Sequence, residues 1–197
     1  MYRARMSITI VIFVFFATLV LCSVASLELS QAQPLSKPLI VYYSLTGTTR
    51  IIAQELARNL SCALEEIVSR KNRHFFWKIT CVHDQLFDRD DDMEPVKKDL
   101  SGYSQLIVAS PIWIHRLSSP VRTFLKYSGL KGKTVWLVLT NNGNFDTNDQ
   151  NHIIEFVESL GITVEGCHCV CTKGKSESEL WQHARSLIKE ITFSDHT

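Results

Sequence analysis

The fold is decided by residues 39–49, which read LIVYYSLTGTT. The run Leu39–Tyr43 is short, apolar and rich in β-branched and aromatic residues, which is typical of a strand buried on both faces. Downstream, apolar side chains recur every four residues at Ile52, Leu56 and Leu60, so a helix should follow. The stretch therefore predicts a strand, a polar loop and a helix in succession.

The same alternation continues along the chain. Further strands are predicted at Leu64–Val68, Leu106–Ser110, Val135–Thr140 and Ile162–Val170, and further helices at Val121–Lys126, Asn151–Leu160 and Leu180–Ile191. Five strands alternating with helices predict an α/β domain, in which a doubly wound five-stranded parallel sheet is the middle of three layers. Residues 69–100 show no clear pattern.

A different kind of segment precedes this domain. Arg3 and Arg5 are followed by a nearly unbroken apolar run from Ile8 to Leu21. This order is typical of a secretory signal peptide, whereas extending the run to Leu27 brings it near the roughly 20 residues of a membrane anchor. Both interpretations divide the chain into a signal peptide or membrane anchor at 1–32 and a domain at 33–197. Both predict export, with the domain periplasmic or membrane-anchored and facing away from the cytoplasm.

Charge excludes one class of partner. The 197 residues carry 21 Lys+Arg and 20 Asp+Glu, which gives a formal net charge of +1. Nucleic-acid binding depends on a basic excess that this chain lacks, so no nucleic acid is expected as a partner.

Two clusters of potential metal ligands are explained without a metal. Cys167, Cys169 and Cys171 alternate in the last predicted strand, where core packing of small thiols is favoured over a metal site. The acidic residues of 88–94 fit no calcium loop and are interpreted as a solvated loop. No metal site is predicted.

The loop after the first strand has the chemistry of a phosphate site. Ligands of such sheets bind beyond the carboxyl ends of the strands, and the loop from Ser44 to Thr49 offers four hydroxyls, one glycine and backbone N–H groups at a helix N-terminus. These donors suit a phosphate dianion. The loop has neither a Gly-Lys-Ser/Thr ending nor GxGxxG, which leaves a terminal monophosphate. The alternative is that Ser and Thr simply cap the helix.

Together with a second block, this loop resembles a known family. Ser44-x-Thr46-Gly47-x-Thr49 resembles the phosphate-binding loop of flavodoxins and flavodoxin-like proteins. The block YSQLIVASPIW at 103–113, with PVRTFL at 120–125 and LKGK at 130–133, resembles their third strand, flavin-contacting loop, following helix and lead into the fourth strand. The resemblance implies the flavodoxin-like strand order 2-1-3-4-5, with flavin mononucleotide (FMN) as cofactor where the strand order reverses.

The resemblance also implies which residues bind FMN. Those expected at the phosphate are Ser44, Leu45, Thr46, Gly47, Thr48 and Thr49; those at the flavin ring are Pro111, Ile112, Trp113 and Ile114; those at its polar edge are Asn141, Asn142 and Gly143. The Trp113 indole would stack on the ring, unless it is a buried tryptophan that closes the sheet edge. Asn142-Gly143 would be a tight turn if it has no part in binding.

The sequence departs from the family pattern after Trp113, where related chains commonly have a glycine and more prolines. Here His115 and Arg116 either approach the flavin or a substrate, or are solvated loop residues. No catalytic side chain is assigned. The resemblance implies a redox flavoprotein that transfers electrons to a partner protein or reduces a small acceptor such as a quinone. The alternative is a flavodoxin-fold module that has lost flavin and acts in binding or structure.

Overall fold

The computed structural model describes residues 37–71 and 77–191; the expected signal or anchor at 1–32 lies outside them. Strand β1 (Leu39–Tyr42) is completely buried and pairs in parallel with β2 (Ala63–Glu66) on one side and β3 (Gln105–Trp113) on the other. Its alternate side chains face opposite sides of the sheet, so both faces must be covered, as its apolar sequence predicts.

The sheet continues from β3 through two more parallel strands, β5 (Thr134–Asn141) and β6 (Thr163–Cys171). The spatial order is β2-β1-β3-β5-β6, which confirms the order 2-1-3-4-5 when the parallel strands alone are counted. One short strand was not predicted: β4 (Arg116–Leu117) folds back and pairs antiparallel with the end of β3.

Within residues 37–71 and 77–191, five helices cover the sheet: α1 (Thr48–Leu60), α2 (Trp77–Leu86), α3 (Ser119–Tyr127), α4 (Thr147–Ser159) and α5 (Glu177–Ile188). Helices α1 and α5 pack on one face, where Ile52 and Leu180 share a core with Ile40 of β1. The other three pack on the opposite face, where Phe124 and Val157 share a second core with Val41. This is the predicted three-layer arrangement. None of the helices in the described part of the chain is both long and apolar enough to cross a membrane.

The acidic segment after α2 is structured, so its interpretation as a solvated loop is wrong for Asp91. The carboxylate of Asp91 is buried, and it accepts hydrogen bonds from the hydroxyls of Ser69 at 2.6 Å and Ser119 at 3.2 Å. The neighbouring Asp88 lies 3.0 Å from the guanidinium group of Arg122, which is buried in α3. The carboxylates therefore fix the segment against α3.

The three thiols of β6 do not all pack in the core. Cys169 and Cys171 are exposed and Cys167 is half-buried, because β6 is the edge strand of the sheet. Core packing was therefore a wrong expectation for Cys169 and Cys171. Desolvation raises the pKa of Cys167 to about 12, which keeps this thiol protonated. Among the described residues, no group of three or more His, Cys, Asp or Glu side chains is placed to hold a metal ion.

Candidate functional site

The loops that follow β1, β3 and β5 meet in one cleft at the carboxyl end of the sheet. The strand order reverses between β1 and β3, and this is where ligands of open α/β sheets bind. The cleft has a volume of about 190 Å³, and its lining comes from all three loops and the end of β6: Leu45, Thr46, Thr48, Thr49, Pro111, Ile112, Trp113, Thr140, Asn141, Asn142 and Thr172. Most of the predicted cofactor residues are thus brought together.

The first loop presents a helix N-terminus that no side chain caps. The capping position of α1 is Gly47, which has a φ of 93° and no side-chain capping hydrogen bond. A residue with a Cβ is strained at this φ, which explains the glycine. The hydroxyl of Ser44 accepts instead from the N–H of Gly47 at 3.1 Å, before the helix begins. The helix-capping explanation of these hydroxyls is therefore wrong, and the first turn of α1 opens towards the cleft.

Two threonines connect this loop to β5. Thr49 and Thr140 are buried, and their hydroxyl oxygens lie 2.8 Å apart. Thr46 is exposed and its hydroxyl lies 3.5 Å from that of the half-buried Thr48. Of the four hydroxyls in the loop, that of Ser44 therefore bonds within the loop, that of Thr49 fixes the cleft floor, and those of Thr46 and Thr48 lie at the cleft mouth. Thr140 was not predicted as a site residue, because only the register between β3 and β5 brings it to the cleft.

Trp113 closes the cleft from the end of β3, but most of its surface is buried. The indole is 9% exposed and packs edge to face against Tyr43, with ring centroids 5.7 Å apart and an interplanar angle of 86°. Pro111 and Ile112 lie beside it on the same strand. Trp113 is thus both a core residue and a wall of the cleft, and the two interpretations of its role are not exclusive.

Ile114 was predicted at the flavin ring but lies outside the lining of the cleft. Ile114 and His115 form the two-residue turn between Trp113 and Arg116, which are paired across β3 and β4. Their φ values are 47° and 61°, because a hairpin turn of this length favours left-handed residues. The side chains of this turn line a second cavity on the α4 side.

The third loop is an asparagine turn held to the end of β6. The side-chain oxygen of Asn141 accepts from the N–H of Gly143 at 2.7 Å, and Gly143 has a φ of 106°. Thr172 donates its hydroxyl to the backbone oxygen of Asn141 at 2.9 Å. The predicted tight turn is therefore present, with Asn141 and Asn142 facing the cleft. Thr172 was not predicted, although its place just after a parallel strand is a signal for such a residue.

The lining of the cleft is electrically neutral. Its polar side chains among the described residues are threonines and asparagines, without a carboxylate or a basic group. An anion there would be held by hydroxyl and amide donors and by the positive end of the α1 dipole rather than by an ion pair. Within the described residues, the lining of the cleft thus offers neutral hydrogen-bonding groups and carries no acid or base for catalysis.

Comparison with known proteins identifies the fold. No protein-family model and no curated protein sequence matches the chain. Solved structures do: a candidate flavoprotein from Bacteroides eggerthii, at 18% identity and a TM-score of 0.64, covers 81% of this chain and 99% of its own. A candidate flavoprotein from Bacteroides uniformis, at 20% identity and a TM-score of 0.60, covers 77% and 99%. A flavoprotein from Lactobacillus acidophilus in complex with FMN, at 19% identity and a TM-score of 0.56, covers 75% and 99%.

These structures share the parallel sheet and its two helical layers with the chain described here. The protein has the flavodoxin-like fold, as the residues of its first and third strands predict.

Proposed function

We propose that the protein binds FMN in the cleft between the loops after β1, β3 and β5 and acts as a redox flavoprotein. The observation that carries this proposal is the uncapped N-terminus of α1 at Gly47, which faces a cleft walled by Trp113. Such a helix end binds phosphate, and the indole gives a flat surface for a ring. The Lactobacillus acidophilus flavoprotein, which has the same fold, contains FMN.

The donors present fit the cofactor. The first N–H groups of α1 and the hydroxyls of Thr46 and Thr48 would hold the phosphate, with Gly47 allowing its close approach. Trp113 would bound the ring, and the Asn141-Asn142 turn would meet its polar edge. The bound flavin supplies the redox chemistry, since it accepts and passes one or two electrons. The chain's part is to position the flavin and to set its potential through these neutral donors.

The proposed electron acceptor is a partner protein or a small molecule such as a quinone, and no nucleic acid is involved. Because the domain is neutral, it lacks the charge that steers an acidic carrier to a basic partner. The proposed location is outside the cytoplasmic membrane, either free in the periplasm or tethered through the N-terminal segment.

Two observations favour a second candidate function, a flavodoxin-fold module without flavin. Trp113 is 9% exposed and packs on Tyr43, and the cleft of about 190 Å³ is smaller than the roughly 300–1,000 Å³ of pockets that enclose a ligand. In this function the first loop and the asparagine turn would be structural. FMN would then have no affinity for the protein.

An FMN titration distinguishes the two functions. The full chain, purified in a non-ionic detergent, is added to FMN while flavin fluorescence is followed. We expect saturable quenching at one flavin per chain, and about ten-fold weaker binding for Thr46→Ala, because a hydrogen bond to a charged phosphate is lost. Trp113→Phe, which keeps an aromatic ring against Tyr43, should quench less.

Thr163→Ala is the matched control, since Thr163 is exposed at the opposite end of β6. It should bind FMN as the wild type does. Unquenched fluorescence at high protein concentration would contradict flavin binding and support the flavin-free module. Equal losses of affinity in Thr46→Ala and Thr163→Ala would place the flavin elsewhere.

A further inference from the structure

A second cavity lies between the turn that joins β3 to β4 and helix α4. Its volume is about 400 Å³, which is within the range of small-molecule sites. Apolar side chains from three elements form its walls: Ile114, Leu117, Ile153 and Phe156. An apolar body of the size of a single ring therefore has a surface to pack on.

The polar lining of this cavity is almost entirely basic. It consists of His115, Arg116, Arg122 and His152, with Asp149 as the one carboxylate among the described lining residues. That carboxylate is already engaged, because its Oδ2 lies 2.6 Å from Nδ1 of His115 and accepts from the N–H of Asp146 at 3.2 Å. The remaining groups can serve an acceptor-rich, negatively charged ligand.

The two guanidinium groups share one close carboxylate. Asp88 lies 3.0 Å from Arg122 and 3.6 Å from Arg116, and the charges of Asp84 and Asp90 also act on Arg122. Lys126 approaches the same carboxylate at 3.9 Å. Arg116, whose side chain is 51% exposed, is the guanidinium group that a ligand can reach, and a planar guanidinium group is well shaped to bind a carboxylate.

Arg122 also has a donor that the protein leaves unused. Its side chain is 3% exposed, and its two terminal nitrogens donate to the side chain of Gln85 at 3.0 Å and to the backbone oxygen of Asp84 at 3.2 Å. Its Nε is buried and has no hydrogen-bond partner within the described part of the chain. A buried donor without a partner is costly, so the position of Arg122 is not explained by its hydrogen bonds alone.

The turn at the mouth of the cavity is strained in a way that keeps two side chains there. Ile114 and His115 adopt φ values of 47° and 61°, where glycine or asparagine is favoured and a β-branched residue is rare. Both side chains line the cavity. Strained residues cluster at ligand-binding sites. Glycine would relieve the strain in this turn, but it would remove the apolar side chain of Ile114 and the imidazole of His115 from the cavity.

We propose that this cavity binds a small organic carboxylate with an apolar body, its carboxylate towards Arg116 and its body against Ile114 and Phe156. The site goes beyond the proposed function, because none of its lining residues belongs to the cleft assigned to FMN. Binding of the carboxylate does not require flavin, so the proposal can be tested separately from FMN binding.

The test is an isothermal titration of the full chain in non-ionic detergent, without added flavin. The probe is phenylacetate, and its neutral analogue phenylacetamide has almost the same shape. We expect one phenylacetate per chain, bound about ten-fold more tightly than the amide, because hydrogen bonds to a charged group are the stronger ones. Absence of phenylacetate binding, or equal affinities for the two probes, would overturn the proposal.

Three variants locate the site. Arg116→Gln should bind phenylacetate about ten-fold more weakly and lose the preference over the amide, whereas Arg70→Gln, an exposed arginine whose partner is Asp92, should bind as the wild type. Ile114→Gly should raise the melting temperature by relieving the turn and yet weaken binding about five-fold by removing an apolar wall. Unchanged affinity in both Arg116→Gln and Ile114→Gly would also overturn the proposal.

Discussion

The buried pair Thr49 and Thr140 joins the first loop to β5 at the floor of the cleft. Their hydroxyl oxygens are 2.8 Å apart, and the two residues are 2% and 4% exposed. If one hydroxyl is removed, the other stays buried and cannot bond to water instead. The free-energy cost of leaving it unpaired is larger than the net stability that the hydrogen bond itself provides. The pair therefore fixes where the first turn of α1 lies.

Thr49→Val should destabilise the protein by about 1–3 kcal/mol, since the Thr140 hydroxyl is left buried and unpaired. In the double variant Thr49→Val, Thr140→Val, most of this loss should be recovered, because neither hydroxyl then remains. Urea denaturation followed by circular dichroism measures both changes. If the loss of unfolding free energy in the double variant equals the sum of the losses in Thr49→Val and Thr140→Val, the two hydroxyls do not act as a pair.

At the scale of elements, helix α4 and the β3–β4 turn are joined by one charged contact. Asp149 belongs to the capping box at the start of α4, and its carboxylate also lies 2.6 Å from Nδ1 of His115 in the turn. This hydrogen bond from His115, aided by the backbone N–H of Asp146, holds the pKa of Asp149 below its ordinary value. A carboxyl whose pKa is lower in the folded state stabilises the protein at pH values above the unfolded pKa of about 3.9.

This contribution is lost as the pH falls through the folded-state pKa of Asp149. His115→Gln should therefore raise that pKa towards its ordinary value and make the variant lose less of its stability between neutral and acid pH than the wild type loses. Carbon-13 NMR of the aspartate carboxyls during a pH titration measures the change. Asp99 is an internal control, because its pKa is lowered by Ser101 and not by a histidine; a shift of both residues would argue against a direct contact.

Local patterns predicted most elements. The apolar run of β1, the spacing of Ile52 and Leu56 in α1, and the strand–helix order after Leu106 agree with the structure, because each element buries a face that its own residues define. Helix α2 was missed, since residues 69–100 carry no continuous apolar periodicity. Strand β4 was missed for another reason: two residues carry no pattern, and the strand exists only because Ile114 and His115 turn the chain back.

The sequence predicted the residues of the candidate site that lie in one loop, but not those that reach the cleft through the pairing register of the strands. The loop from Ser44 to Thr49 follows one strand and opens one helix, so its position could be inferred from the sequence alone. Thr140 and Thr172 reach the cleft through strand pairing and the turn at Asn141. The burial of Trp113 depends on a contact with Tyr43, which lies 70 residues earlier in the chain and which no local pattern reveals.

At the scale of the whole molecule, the two parts of the chain differ in net charge. Removing residues 1–32, with Arg3, Arg5 and Glu28, leaves 19 Lys+Arg against 19 Asp+Glu. The positive charge of the segment thus lies at its very start, before the apolar run, as is typical of a signal peptide or a membrane anchor. The domain itself carries no formal net charge.

Export can be tested on the full chain expressed in a bacterium with alkaline phosphatase fused after Thr197, since this enzyme is active only outside the cytoplasm, where its disulfides form. We expect activity with the full chain and none with a matched fusion that begins at residue 33. The mass of the exported chain then decides between the two forms of the segment: cleavage after Ala25 or Ala32 gives a free periplasmic domain, whereas an intact N-terminus in the membrane fraction gives a tethered one. Equal activity of the two fusions would contradict export through residues 1–32.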